Sequence, residues 1–106
     1  MSLDAFYPHT GNTSVALATT TASTAIQPTD GNVGGCRLVN IGSVVAYVAF
    51  GGSDIVSVAP TTTTAANGIP LLPNSGETFS VKPDFYLSAI TTSGTALIYV
   101  TPGMGL

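Results

Sequence analysis

Turn-forming clusters interrupt this chain so often that only short elements fit between them. Gly, Pro, Asn and Asp gather at residues 9–12, 28–35, 51–54, 67–68, 73–76, 93–94 and 102–105. The intervening runs are rich in Val, Ile, Thr, Tyr and Phe, which suit a pleated, half-buried surface. Strong helix formers are scattered, and no segment keeps a helical apolar period over several turns. Short β-type runs bounded by turn residues at regular spacing predict an all-β sandwich or barrel.

The clearest strands are expected at 37–41, 44–50, 55–59, 77–82, 86–90 and 95–101. Residues 51–54 read as a hairpin loop between 44–50 and 55–59, and 91–94 as a second hairpin loop. Residues 14–20 form a weaker strand, because Ala and Thr give a mixed signal. Residues 69–72, flanked by Pro73 and interrupted by Pro70, can serve only as a short edge strand. In all, about seven or eight strands in two antiparallel sheets are expected, jelly-roll-like, with an N-terminal arm. Residues 1–27 hold that arm and the first weak strand, and residues 28–106 hold the β-sandwich. The whole is one globular domain, since 106 residues leave little room for two.

Two strands are apolar on both faces. Val44, Ala46, Val48 and Phe50 oppose Val45, Tyr47 and Ala49, while Leu97 and Tyr99 oppose Ala96, Ile98 and Val100. One face of each fills the sandwich. The other needs cover from a loop, the N-terminal arm or a neighbouring subunit.

Charge excludes several partners. Only 7% of residues are charged, against about 25% in ordinary globular domains. Arg37 and Lys82 are the only Lys or Arg residues. Neutralising phosphates takes several cations on one face, so no nucleic-acid partner is expected. An anionic membrane surface is excluded on the same ground. No apolar run approaches the roughly 20 residues of a membrane helix, and residues 1–7 lack the basic start of a secretion signal. The expectation is a soluble chain made in the cytosol. An uncharged skin serves a free monomer poorly and an assembled subunit well.

Nothing in the sequence assembles a reactive site. Single His9 and Cys36 residues cannot fill a zinc site, and Cys36 reads as a buried structural thiol. The carboxylates Asp4, Asp30, Asp54, Glu77 and Asp84 sit at turns and strand ends, without calcium-loop spacing. No Gly-Lys-Ser/Thr follows the glycines, so they are not a phosphate cradle. The expectation is therefore a protein that is not an enzyme and takes no cofactor or metal.

The order of strands and turns resembles a known family. The residues that carry it are Arg37-Leu-Val-Asn-Ile-Gly-Ser-Val-Val-Ala-Tyr-Val-Ala-Phe-Gly51, Ile69-Pro-Leu-Leu-Pro-Asn-Ser-Gly-Glu-Thr-Phe-Ser-Val81, Tyr86-Leu-Ser-Ala-Ile90 and Gly94-Thr-Ala-Leu-Ile-Tyr-Val-Thr-Pro-Gly103. The pattern, over residues 36–103, resembles small virion proteins of tailed bacteriophages. The resemblance implies a capsid decoration (cement) protein, carried on the head exterior as a dimer or trimer. Its partners would be the major capsid protein and itself, and its location the virion surface after assembly in the host cytoplasm. Phe6, Tyr7, Tyr47 and Tyr99 are the expected contact residues, because aromatics dominate interface energetics. A carbohydrate- or receptor-binding module of a fibre or tail tip is the alternative, with Tyr86 and Tyr99 together on one sheet face. The absence of Trp weighs against it.

Overall fold

Each interior strand already has both of its edges occupied, and this decides which connections are hairpins. The computed structural model describes residues 7–8, 14–22, 24–27, 34–82 and 85–104. Among them the strands are β1 (Tyr7–Pro8), β2 (Val15–Thr19), β3 (Thr24–Ile26), β4 (Gly35–Asn40), β5 (Ala46–Gly51), β6 (Ile69–Leu71), β7 (Ser75–Ser80), β8 (Tyr86–Thr91) and β9 (Ala96–Met104). One sheet runs β2–β9–β4–β7, with β1 continuing the β2 edge along the far end of β9. The other runs β3–β8–β5–β6, and every pairing in both sheets is antiparallel. Eight consecutive strands folded over into these two four-strand orders make a jelly roll. The all-β sandwich expected from the sequence is the fold observed.

Alternation along the strands builds the core. From β9, Ala96, Ile98 and Val100 face inward, and from β4, Cys36 and Leu38. The facing sheet contributes Ala46 and Val48 of β5, Leu71 of β6, and Leu87 and Ala89 of β8. Small and large side chains interdigitate between the sheets, as aligned sandwiches require. Phe79 of one sheet meets Phe50 of the other at 5.1 Å between ring centroids, and Phe85 lies edge-on to Phe50 at 6.0 Å. These tilted pairs close one end of the sandwich with a geometry that aromatic quadrupoles favour.

Both expected hairpins are corrected. Ile55 donates to the carbonyl of Gly52 at 3.0 Å, so the chain does turn after β5. Residues 55–59 nevertheless form no strand, because β6 and β8 already occupy the two edges of β5. Similarly, β8 is flanked by β3 and β5, so β9 crosses to the other sheet. The connection at 91–94 is thus an inter-sheet corner, where Thr91 Oγ1 donates to the Gly94 carbonyl at 2.8 Å and Gly94 adopts a φ of 74°. The weak strand at 14–20 forms as β2, and 69–71 forms as the edge strand β6. Pro70 is tolerated there because an edge position asks for no second ladder bond. From the stretch 1–27, β2 and β3 supply one edge strand to each sheet.

Among the described residues, one side-chain amide lies fully within this core. Asn40, 0% exposed, donates from Nδ2 to the carbonyls of Val44 at 2.9 Å and Leu71 at 3.0 Å. Its Oδ1 accepts the Gly42 N–H at 2.9 Å. The residue sits at the end of β4, and Leu71 belongs to β6 of the opposite sheet, so one amide joins the two sheets across their crossover. Gly42 is required beside it, since a Cβ there would stand 2.8 Å from the Ala96 Cα. Replacing Asn40 strands one buried and two part-buried backbone groups, and an unsatisfied buried group costs about 1–3 kcal/mol. We expect Asn40→Ala to lower the urea midpoint by an amount equivalent to about 3 kcal/mol or more, with an unchanged denaturant slope. A variant as stable as the parent would show that the amide does not join the sheets.

Candidate interface: the two outer faces

The two sheets end in very different outer faces. On the β3–β8–β5–β6 sheet, Tyr47 and Ala49 of β5 and Tyr86, Ser88 and Ile90 of β8 point away from the core, as the register with the buried residues requires. The chain between β5 and β6 doubles back over them as a strap. Ser57 donates its N–H to Ser88 Oγ at 2.9 Å and its Oγ–H to the Tyr47 carbonyl at 2.8 Å. Under this cover Ala49, Ser57 and Ser88 are all buried.

Asn67 fastens the strap. Its Oδ1 accepts the Val58 N–H at 2.8 Å, and its Nδ2 donates to the Val56 carbonyl at 2.9 Å. The next residue, Gly68, donates its N–H to the Val58 carbonyl at 2.9 Å. An asparagine side chain thus imitates a neighbouring strand, which is how residues 56–58 meet their backbone needs outside any ladder. Gly68 has no room for a side chain. A Cβ there would lie 2.6 Å from the Val58 carbonyl oxygen and 2.8 Å from Tyr47 Cβ.

The face of the β2–β9–β4–β7 sheet is open. Cross-strand register sets its residues in rows: Ala18 beside Leu97; Ala16, Tyr99, Val39 and Gly76; then Thr101, Arg37 and Thr78. Ile41 extends the first row, where its N–H donates to the Leu97 carbonyl at 2.9 Å. Ile41 is 46% exposed and Tyr99 40%; Ala16 and Ala18 are exposed, and Leu97 and Val39 half-buried. Ser14 Oγ and Thr101 Oγ1 share a 2.9 Å hydrogen bond at the polar margin. Arg37 is the only formal charge in these rows. A groove of about 640 Å³, lined in part by Ala18, Ile41, Asn74 and Leu97, continues the face at one end.

The expected contact residues do not converge. Tyr99 lies on the open face, whereas Tyr47 is half-buried on the opposite side of the sandwich beneath the strap. Tyr7 pairs through its backbone with Met104 at the end of β9, and Phe6 lies outside the described residues. Tyr86 and Tyr99 project from opposite sheets, so the single aromatic platform expected for a glycan-binding module does not form. Ala16, Ala18, Val39 and Ile41 escaped sequence reasoning. Their signal is the alternation of Ala with Leu and Thr along 15–19, which reads as a face only once β9 is known to lie alongside.

Reactive groups are sparse. A cleft of about 540 Å³ at the opposite end, between Phe50, Val81, Lys82 and Phe85, has Lys82 as the one titratable group among its described lining residues. Among the described residues no group of three or more His, Cys, Asp or Glu stands together. His9, Asp4, Asp30 and Asp84 lie outside the described residues. Cys36 points into the core with 0% exposure, and burial pushes its thiol from 9.0 up to about 12.

Comparisons with protein families, with curated proteins and with solved structures find no match to this chain.

Three outcomes follow from this geometry. The Cys36 thiol stays unreactive toward a disulfide reagent in the folded protein at mildly alkaline pH and reacts stoichiometrically once unfolded. Because its folded value is raised, stability is unaffected below pH 9.0 and falls between there and about 12, where the unfolded chain alone gains the thiolate. Fast labelling of the native protein would place the thiol outside the core. Gly68→Ala, by forcing a Cβ against two neighbours, destabilises by about 1–3 kcal/mol and raises proteolysis within 55–66. A silent substitution would mean the strap is not seated on Tyr47.

Proposed function

We propose that this chain is a head-decoration (cement) protein of a tailed bacteriophage, which binds the capsid exterior and bridges neighbouring major capsid subunits. The observation that carries the reading is the asymmetry of the two outer faces. One sheet face is covered by the chain's own strap, which exposes Val56 and Val58 on its outer side; the other sheet face is left open, shallow and nearly uncharged. Contiguous apolar surface of this kind marks interaction sites on soluble proteins. Docking there desolvates a single cation, Arg37, which keeps the cost of burying charge low.

The face has the parts an interface needs. Tyr99 is an aromatic anchor near its middle, and aromatics concentrate binding energy when neighbours exclude water around them. Ala16, Ala18 and Gly76 beside it bring a partner's backbone close. An interface of standard size, roughly 1,600 Å² in total, need not be strong singly. Repeated over a symmetric shell and shared by a dimer or trimer, moderate contacts add through effective concentration. The jelly roll is a scaffold found in viral shells and in lectins alike, so the fold alone does not choose between them. The surface supplies the argument: it offers an open, nearly uncharged sheet face with Tyr99 and Ile41 exposed on it.

The reading is tested by co-sedimentation. Purified protein should pellet with heads of the encoding phage from which the decoration has been stripped. Leu97→Asp and Tyr99→Asp, both on the solvent side of β9, should retain the β-sheet circular-dichroism spectrum and lose at least about 10-fold in head binding. Val56→Ser, on the strap, should bind like the parent. Heads that leave the parent protein in the supernatant, or that pellet both aspartate variants normally, would sink the proposal.

A further inference from the structure

We propose that Asn67 is a deamidation site that the fold protects, and that its conversion irreversibly unfastens the strap and opens the second sheet face. Asn67–Gly68 is the only Asn–Gly pair in the sequence. In such a pair the glycine nitrogen reaches the asparagine amide carbon without hindrance from a side chain. The reaction forms a bond from Gly68 N to Asn67 Cγ and breaks the bond from Cγ to Nδ2. The side-chain nitrogen leaves as ammonia, carrying the proton lost by Gly68 N. Water then opens the resulting succinimide, at one carbonyl to give aspartate and at the other to give isoaspartate.

This sensitive pair exists because the strap demands both residues. Position 68 excludes any side chain, with the Val58 carbonyl 2.6 Å and Tyr47 Cβ 2.8 Å from where a Cβ would sit. Position 67 needs a group that accepts from Val58 N–H and donates to the Val56 carbonyl at once, and a short amide does both. The same contacts restrain the chemistry. The Gly68 N–H is committed to the Val58 carbonyl at 2.9 Å, and both polar atoms of the Asn67 amide are engaged. Attack requires the nitrogen to leave that bond and the amide to turn, so the reaction proceeds from a locally opened strap.

Conversion removes the way back. An aspartate at 67 has no donor for the Val56 carbonyl and sets a carboxylate oxygen against it. An isoaspartate adds a methylene to the backbone where Gly68 has no slack. The strap contributes no ladder strand, so its release leaves both sheets intact while uncovering Tyr47, Ala49 and Ser88. A molecule made with one open apolar face then carries two, and gains one negative charge. The event is independent of what the first face binds.

The experiment compares rates on the unmodified chain. Folded and urea-unfolded protein are aged at mildly alkaline pH, and Asn67 conversion is followed by peptide mass spectrometry. The folded protein should convert at least ~10-fold more slowly, the factor being set by the strap's opening equilibrium. The converted form, separated by anion exchange, should show faster deuterium exchange at the Ser57 and Gly68 amides with β9 amides unchanged; Asn67→Asp should do the same. Equal rates in the two states, or unaltered exchange at Ser57 and Gly68 after conversion, would overturn the proposal. Should Asn67→Asp not fold, the rate comparison and the converted parent protein still decide it.

Discussion

The buried amide of Asn40 sets the conditions under which the rest of the sandwich holds together. It ends β4 in one sheet, receives the Gly42 N–H, and grips the carbonyls of Val44 and of Leu71 in the other sheet. Around it everything else in the core is apolar or a small hydroxyl residue. A polar group in such surroundings is tolerable only when all its bonding capacity is used. Bonded through both N–H groups and its oxygen, it also specifies geometry that apolar packing leaves loose, because a leucine tolerates a small slide and an amide with three fixed partners does not. The crossover from β4 to β5, and the docking of β6 as the edge of the second sheet, both pass through this one side chain.

With the sheets fixed, the fold must dispose of two outer faces, and it treats them differently. The β5–β6 connection is long enough to return across its own sheet and is held there by Ser57 and Asn67 rather than by a strand pairing. This arrangement seals a face without extending the sheet edge. At that edge, Pro70 in β6 withholds an N–H from any further strand. On the other sheet, β7 ends the order with Glu77 in the inward register opposite Leu38 yet exposed, a placement that discourages edge-to-edge pairing. The β6 and β7 edges are therefore guarded, while the β2–β9–β4–β7 face is left bare.

The same economy of charge shapes the chemistry. Cys36 is withdrawn into the core with its thiol pushed up to about 12, and the acids Asp54 and Glu77 are exposed. The strap exchanges permanence for chemical sensitivity, since its fastening depends on an Asn–Gly pair that water can convert. Shielding by hydrogen bonds and sensitivity by sequence are two consequences of one local requirement: a donor-acceptor side chain followed by a residue without a Cβ.

Much of this was readable in the residues themselves. Alternation along 96–100 separated Ala96, Ile98 and Val100 from Leu97 and Tyr99, and turn clusters bounded the strands, because side-chain period and backbone freedom are local properties. The two-faced character of 44–50 and 95–101 was equally local. Pairing was not. Residues 51–54 and 91–94 have hairpin chemistry, yet neither joins paired strands, because the edges they would use are filled by β6, β8, β3 and β5 from distant parts of the chain. Whether Tyr47 or Tyr99 stayed exposed turned on where the strap came to rest, and Ala16 and Ala18 gained meaning only beside β9. The sequence by itself determined that the chain is a β-sandwich with more apolar surface than one core consumes. Only the tertiary structure decided which surplus face is covered and which is open, because edge occupancy and loop docking depend on contacts between residues far apart in the chain.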